Sequence, residues 1–272
     1  MAGEYEFGFI GAGNMTEGIV AAALRDQLYR PEEIIVSDPV PGRRELFAGT
    51  FGVTAVEDNR RLVQESQRVV LAVKPQSFAE VAAGPAGAVP GDRLLVSIMA
   101  GVSTRKIEAA FSQIKARVVR VMPNLPIKVG AGMAGICAGR HATEKDLEDV
   151  RALFDAGGSS VVVKDESLID AVTAVSGSGP AYFYYFVEAM VAGGVASGLS
   201  EAEALKLAEN TCLGAAKMMA ETNEPPAELR RKVTSKGGTT QAALEYMNAA
   251  HLSETIRDAV KAAFNRAREL GS

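Results

Sequence analysis

Two glycine-bearing turns, far apart in the 272-residue chain, have the composition of anion cradles. The first is Gly8-Phe-Ile-Gly11-Ala-Gly13-Asn-Met-Thr16, a G-x-G-x-x-small pattern between a short apolar run and a helix-like stretch. Gly11 permits a tight turn, Gly13 lets backbone approach a pyrophosphate, and the helix start supplies N–H groups that lack intrahelical partners. This assigns Ile10, Gly11, Ala12, Gly13, Asn14 and Met15 to a dinucleotide. The second is Lys232-Val-Thr-Ser235-Lys-Gly237-Gly238-Thr239-Thr240, in which glycines and hydroxyls open a helix over Gln241 to Met247. Backbone N–H donors and Thr hydroxyls converging there suit a carboxylate. For either turn the bland alternative is a loop followed by a helix N-cap. A third segment, Ala174-Val-Ser176-Gly-Ser-Gly179-Pro180-Ala-Tyr182, also leads into a helix, with Pro180 at its start.

Further polar residues fall where a parallel sheet opens its ligand crevice, beyond the carboxyl ends of strands. Asp38 follows the strand-like run Ile34 to Ser37. An acidic residue there takes the ribose hydroxyls of NAD and repels a 2′-phosphate. Arg43 and Arg44 could hold that phosphate if Asp38 turns away, or they form a solvated face while Asp38 caps the next turn. The balance leans slightly to NADH, and the cofactor is expected to be NADPH or NADH. Ala72, Val73, Lys74 and Pro75 end the strand that begins near Arg68. Pro75 stops it, and the backbone and Lys74 can face the cofactor unless Lys74 is only a turn lysine. Asn59 either reaches the adenosine end or caps the helix Asn59 to Glu65.

The elements that must position these groups fall into two kinds. Glu6 to Ile10, Ile34 to Ser37, Arg68 to Val73, Leu94 to Ile98, Val118 to Val121 and Ser160 to Val163 read as strands buried on both faces. Helical patterns such as Thr16 to Arg25, Asn59 to Glu65 and Thr143 to Phe154 lie between them. Their alternation predicts βαβ units and a mostly parallel sheet, an α/β Rossmann-type domain over residues 1–164. After Val163 no strand-like run follows. Ser200-Glu-Ala-Glu203 is a capping box, Glu201 to Met219 has helical spacing, and Leu252, Ile256 and Val260 lie on one stripe. Residues 165–272 are therefore expected to be an all-helical domain whose broad apolar faces a partner chain covers.

Composition narrows the chemistry. Lys plus Arg is 29 and Asp plus Glu is 33, a net charge of −4 that argues against nucleic-acid binding. No apolar stretch is long enough to span a membrane, and Met1 to Tyr5 shows no signal-peptide pattern, so a cytoplasmic protein is expected. Cys137 and Cys212, among small or apolar residues, read as buried reduced thiols, and with His141 and His251 far apart no metal site is expected. Neither glycine turn carries a His, and Tyr182, Tyr184 and Tyr185 read as core or interface residues rather than acids. Met218, Met219 and Met247 read as gap-filling residues of the same kind.

Five motifs in order carry a resemblance along nearly the whole chain: Phe9 to Met15, Ala72 to Pro75, Arg120-Val-Met-Pro-Asn124, Ala174 to Phe183 and Val233 to Thr240. The chain resembles the pyrroline-5-carboxylate reductases. That resemblance implies a Rossmann domain followed by a helical dimerisation domain, and reduction of the cyclic imine Δ1-pyrroline-5-carboxylate to L-proline with NADPH or NADH. It implies homodimers with interleaved helical domains, and often rings of five dimers. It puts the substrate carboxylate and ring nitrogen on Gly237, Gly238, Thr239 and Thr240, with Ser235 beside them and the Thr240 hydroxyl near the imine nitrogen. The family usually has Pro where this chain has Lys236, and Ala where it has Thr16. A protonated imine already carries positive charge, so hydride delivery leaves a neutral amine and demands no strong acid. Two other readings compete. In a β-hydroxyacid dehydrogenase a Lys would stand where Phe183 does, and Lys206 and Asn210 only mimic the spacing on a later helix. A non-catalytic dinucleotide sensor would have no need of the second cradle.

Overall fold

The structure is a computed structural model, and it describes residues 4–84, 89–91 and 93–271. Met1 to Gly3, part of the N-terminal segment read above, lie outside the described residues. The chain runs β1 (Tyr5–Ile10), α1 (Asn14–Arg25), β2 (Ile34–Ser37), α2 (Pro41–Leu46), β3 (Thr54–Val56), α3 (Asn59–Glu65), β4 (Ser66–Leu71), α4 (Phe78–Ala83) and β5 (Leu94–Ser97). It continues through α5 (Thr104–Ala110), β6 (Arg117–Met122), β7 (Gly132–Ala138), α6 (Glu144–Asp155) and β8 (Gly158–Val162). Helices then follow one another: α7 (Leu168–Val172), α8 (Gly179–Ala196), α9 (Glu201–Thr222), α10 (Pro226–Lys232), α11 (Thr239–Ala249) and α12 (Leu252–Gly271).

The sheet order is β3-β2-β1-β4-β5-β6-β7-β8. Every neighbouring pair is parallel except β6–β7. The reversal of winding between β1 and β4 is the switch point where doubly wound sheets bind nucleotides. The apolar runs are continuous because both faces are covered, except in β8, where the sheet ends and Val161 and Val162 are exposed instead of buried as predicted. Phe7, Phe9, Val36, Val70, Val96 and Val119 pack with Ile19 of α1 and Val150 of α6. Ile10, Ile35, Val69, Leu71, Leu95 and Val118 face Leu62, Phe78 and Ile107 on the other side. The two-residue period of strands sorts neighbouring side chains to opposite faces.

Two strands do not appear among the predicted ones. β3 is three half-buried residues at the sheet edge. β7, with sequence GMAGICA, lacks the β-branched density of its neighbours. Gly135 is needed there, because a Cβ at that position would stand 2.5 Å from Val172 Cγ1. The predicted strand Arg68 to Val73 ends two residues earlier, at Leu71.

The amino-terminal end of the sheet is tied by Arg68, whose guanidinium pairs with Glu6 and Asp149 at 2.6 Å each and lies over the Phe7 ring. Burial pushes the Asp149 carboxyl up, but the hydrogen bonds from Lys145 and Arg68 outweigh it and hold the group below its ordinary value. A depressed folded-state pKa gives stability that is complete above the unfolded value and lost as pH falls through the folded one. Asp149→Asn should therefore cost about 1 kcal/mol at pH 6, allowing for solvent screening. The gap to wild type in urea unfolding should narrow as pH falls below the ordinary carboxylate range.

Contacts divide the chain into two compact units, 1–178 with 263–272, and 179–262. In the second unit, Ser200 accepts from the Glu203 N–H and the Glu203 carboxylate accepts from the Ser200 N–H, forming the expected capping box. This unit has almost no interior of its own: Gly179, Ala204 and Ala208 are its buried residues. Phe183, Tyr184, Tyr185, Leu207 and Leu213 are each more than half exposed. Met218 and Met219 are also exposed. A unit of this size with so little burial cannot offset its chain entropy alone. Among the described residues no helix is long and apolar enough to cross a membrane.

Candidate active site

The first cradle sits at the switch point. Gly11 adopts φ +104°, and its N–H donates to the Ser37 carbonyl at 2.8 Å, tying the turn to β2. Thr16 is fully buried, and its hydroxyl donates to the Gly11 carbonyl at 2.6 Å. The residue in the third small position thus pins the turn as well as fitting it. Gly13 caps α1 with no side-chain cap, and a Cβ there would meet nothing within 4 Å. The first intrahelical bond runs from the Glu17 N–H to the Gly13 carbonyl, so the earlier N–H groups of α1 have no intrahelical partner, and with open space beside Gly13 the cradle fits a pyrophosphate. Ile10 is buried at the end of β1, and Ala12, Asn14 and Met15 complete the turn and the first helical residues.

Asp38 has turned toward backbone. One carboxylate oxygen accepts from the Ala12 N–H and the other from the Val40 N–H, both at 2.9 Å. The arginines are not an idle solvated face. Arg43 donates to the Ala12 carbonyl, pairs with Glu17 at 3.0 Å and lies over the Phe47 ring. Arg44 donates to the carbonyls of Asp38 and Pro39 and pairs with Glu57. The hydrogen bond from Lys128, together with Arg43, holds the Glu17 carboxyl below its ordinary value against the effect of burial.

Asn59 is not the helix cap. Asp58 caps α3 by accepting from the Arg60 N–H, and Asn59 instead accepts from the Ser37 hydroxyl at 2.6 Å. Ala72 donates to the Ile10 carbonyl, and its own carbonyl lies against Gly11. Val73 is half-buried, while Lys74 and Pro75 are exposed in the turn beyond β4.

The second cradle lies in the helical unit. Gly237 adopts φ +72°, and Gly238 caps α11 with no side-chain cap. The Gly237 N–H donates to the Gln241 side chain at 2.7 Å and the Gly238 N–H to the Ser235 carbonyl at 3.1 Å. Both glycine donors are thus spent on shaping the turn. The first intrahelical bond runs from Ala242 to Gly238, which leaves the N–H groups of Thr239, Thr240 and Gln241 in the first turn. With the Thr239 and Thr240 hydroxyls they make a donor set suited to a carboxylate, and a hydroxyl oxygen there can also accept from a ring N–H. Ser235 packs against Gly238, with its hydroxyl where a Gly238 Cβ would stand, and Lys236 is exposed.

Sequence reasoning gave no role to the bond that joins two of its motifs. Asn124, buried just beyond the end of β6, donates to the Ser176 carbonyl at 3.1 Å and accepts from the Met133 N–H at 2.8 Å. Its amide locks the segment before α8 to the crevice end of the sheet. The signal for it was an amide immediately after Met-Pro at a strand end. Other residues keep bland roles. Asn210 donates to the Lys206 carbonyl on the exposed side of α9. Cys137 is buried, and burial raises its thiol pKa, whereas Cys212 is only half-buried. Among the described residues no His, Cys, Asp and Glu cluster could hold a metal ion.

Comparison with known proteins gives two matches to family models. One, described as pyrroline-5-carboxylate reductase dimerisation, covers residues 166–270. The other, described as NADP oxidoreductase, coenzyme F420-dependent, covers residues 6–101. A pyrroline-5-carboxylate reductase of Synechocystis is 43% identical over 98% of each chain. A solved pyrroline-5-carboxylate reductase from Coxiella burnetii superposes with a TM-score of 0.92 at 34% identity over 99% of each chain. The Plasmodium falciparum pyrroline carboxylate reductase, solved with NADP bound, gives 0.87 at 27% identity over 100% of each chain.

Proposed function

The chain belongs to the pyrroline-5-carboxylate reductase family, and on that premise we propose that it reduces Δ1-pyrroline-5-carboxylate to L-proline, the last step of proline biosynthesis, using NADPH or NADH. The observation that carries this reading is the second cradle. A dinucleotide sensor needs only the glycine turn after β1, whereas this chain also has a second glycine turn that leaves the first-turn N–H groups of α11 and the Thr239 and Thr240 hydroxyls for an anion. A β-hydroxyacid dehydrogenase would need a lysine where Phe183 stands.

A reduced nicotinamide dinucleotide, when bound, supplies the hydride. Ile10 to Met15 receive its pyrophosphate on the α1 N-terminus, and Asp38, Asn59 and Ala72 to Pro75 line its course along the crevice. Thr239 and Thr240 hold the substrate carboxylate through first-turn N–H groups and hydroxyls, with Gly237, Gly238 and Ser235 fixing the turn. The Thr240 hydroxyl orients the ring nitrogen. Positioning of this kind is sufficient, because a protonated imine becomes a neutral amine on hydride addition.

The turned-away Asp38 supports NADPH as the better cofactor, since Arg43 and Arg44 flank the place of a 2′-phosphate. Oxidation of NADPH and NADH with and without the imine, with L-proline quantified, tests both points. Imine-dependent turnover is expected with both cofactors, and Arg43→Ala should raise the KM for NADPH about tenfold while changing that for NADH little. Dinucleotide binding without imine turnover would return the sensor reading.

Residues 165–272 are assigned to substrate binding and dimerisation. The exposed aromatic and aliphatic face of α8 and α9 supports a homodimer, and the larger assembly of five dimers rests on the family resemblance alone. Sedimentation equilibrium should give at least twice the chain mass of 28.6 kDa. Tyr185→Asp should shift the protein toward monomer with a lower melting temperature. A cytoplasmic location suits this metabolic role.

A further inference from the structure

A cavity of about 290 Å³ lies within the first unit, and no residue of either glycine turn lines it. Its walls bring together Gly101 and Ser103 before α5, Arg120 of β6, Glu166 and Asp170 around α7, and Arg268 of α12. The volume is at the lower end of small-ligand pockets.

The state of the charged groups decides what it could hold. Glu166 is fully committed: it accepts from the Thr104 N–H at 2.8 Å, the Thr104 hydroxyl at 2.6 Å and the Arg120 Nη1 at 3.0 Å. Arg120 has only 7% of its side chain exposed, yet its Nε has no acceptor among the described residues. A buried guanidinium donor without a partner is costly. Asp170 has one long ion contact, 4.0 Å to Arg120 Nη2. Arg268 stacks on the Phe264 ring and pairs with no carboxylate among the described residues. The cavity thus offers the under-satisfied guanidinium of Arg120, a second cation and an under-used acceptor, and its four charges sum to zero.

That balance disfavours simpler ions. A divalent cation would meet two guanidiniums, and a phosphate would meet two carboxylates. One small molecule carrying both charges satisfies the unfilled groups together. We propose that this cavity binds a small zwitterionic amino acid, its carboxylate on the guanidinium groups of Arg120 and Arg268 and its ammonium on Asp170. The site shares no residue with the reaction centre proposed above and does not depend on that reading. L-proline belongs to this ligand class.

Hydrogen–deuterium exchange of the full chain with L-proline, L-alanine, sodium acetate or methylammonium chloride tests the proposal. Either amino acid should slow exchange over residues 101–106 and 166–172, and acetate or methylammonium should not. Arg268→Ala, at an exposed side chain, should weaken this protection about tenfold in ligand concentration, and Asp170→Asn should do the same. Protection confined to residues 235–241 would mean that amino acids bind only at the second cradle and would overturn the proposal. No protection by either amino acid, equal protection by acetate, or an unchanged response in both variants would overturn it as well.

Discussion

Gly11→Ala should lose both stability and dinucleotide binding, whereas Gly13→Ala should lose binding alone. At Gly11 the backbone holds φ +104°, and a Cβ would stand 2.7 Å from the Ala72 carbonyl oxygen and 2.9 Å from its carbon. Those are backbone atoms just beyond β4, the neighbour of β1, so relief requires the centre of the sheet to move. Left-handed strain and overpacking each cost about 1–3 kcal/mol. Their sum is a large part of a typical stability of about 5–15 kcal/mol. At Gly13 the backbone is extended and the Cβ position is empty, so alanine is tolerated by the fold but occupies the approach of a pyrophosphate. Urea unfolding should put Gly11→Ala about 2–5 kcal/mol below wild type and Gly13→Ala within about 0.5 kcal/mol of it. Fluorescence titration with NADPH should show affinity reduced about a hundredfold or more in both. Wild-type stability in Gly11→Ala would refute the account of the turn.

These expectations were legible because the first turn is encoded by residue type at fixed spacing, next to strands whose apolar runs need no tertiary information. Ile34 to Ser37 and Asn59 to Glu65 appear at the predicted bounds for the same reason. β7 was not legible: its identity as a strand comes from antiparallel pairing with β6, not from its own glycine-rich sequence. The orientation of Asp38 was equally out of reach, because it depends on which N–H groups the turn leaves open. The Asn124–Ser176 bond joins residues 52 apart in sequence, and no local pattern announces such a contact. The second cradle was legible as a set of residues but not in its division of labour. Only the folded turn shows that Gly237 and Gly238 spend their N–H groups internally and pass the donor role to the threonines.

The exposed apolar face of the helical unit follows the same logic at larger scale. α8 carries a single charged residue, Glu188, along Gly179–Ala196, so no side of it is suited to water. A helix apolar all round must be covered. Among the described residues of its own unit, α9 packs closely on it, with Ala204 Cβ 3.0 Å from where a Gly194 Cβ would lie. That contact uses small residues and leaves the aromatics for another surface. Assembly is therefore part of folding for this half of the chain, and its measured stability should depend on protein concentration.

Thr240→Ala should lower kcat about a hundredfold, the scale of losing one well-placed hydrogen-bond group at a reacting centre. Cofactor KM should stay unchanged, because the dinucleotide contacts are assigned to the β1 turn and not to α11. Thr240→Ser keeps the hydroxyl and should recover activity to within about threefold, while Thr240→Val keeps the shape and should not. The pH profile separates orientation from acid catalysis. A hydroxyl that orients the nitrogen does not titrate near neutrality, so kcat should fall in Thr240→Ala by the same factor at every pH. If the hydroxyl instead delivered the proton, the loss would shrink toward low pH, where solvent protonates the imine unaided. Gly237→Ala supplies the structural control. Its φ of +72° makes alanine strained although the space around it is open, so the turn should deform and substrate KM should rise. A kcat unaffected by Thr240→Ala, with Gly237→Ala also silent, would remove the second cradle from the reaction and leave α11 as an ordinary capped helix.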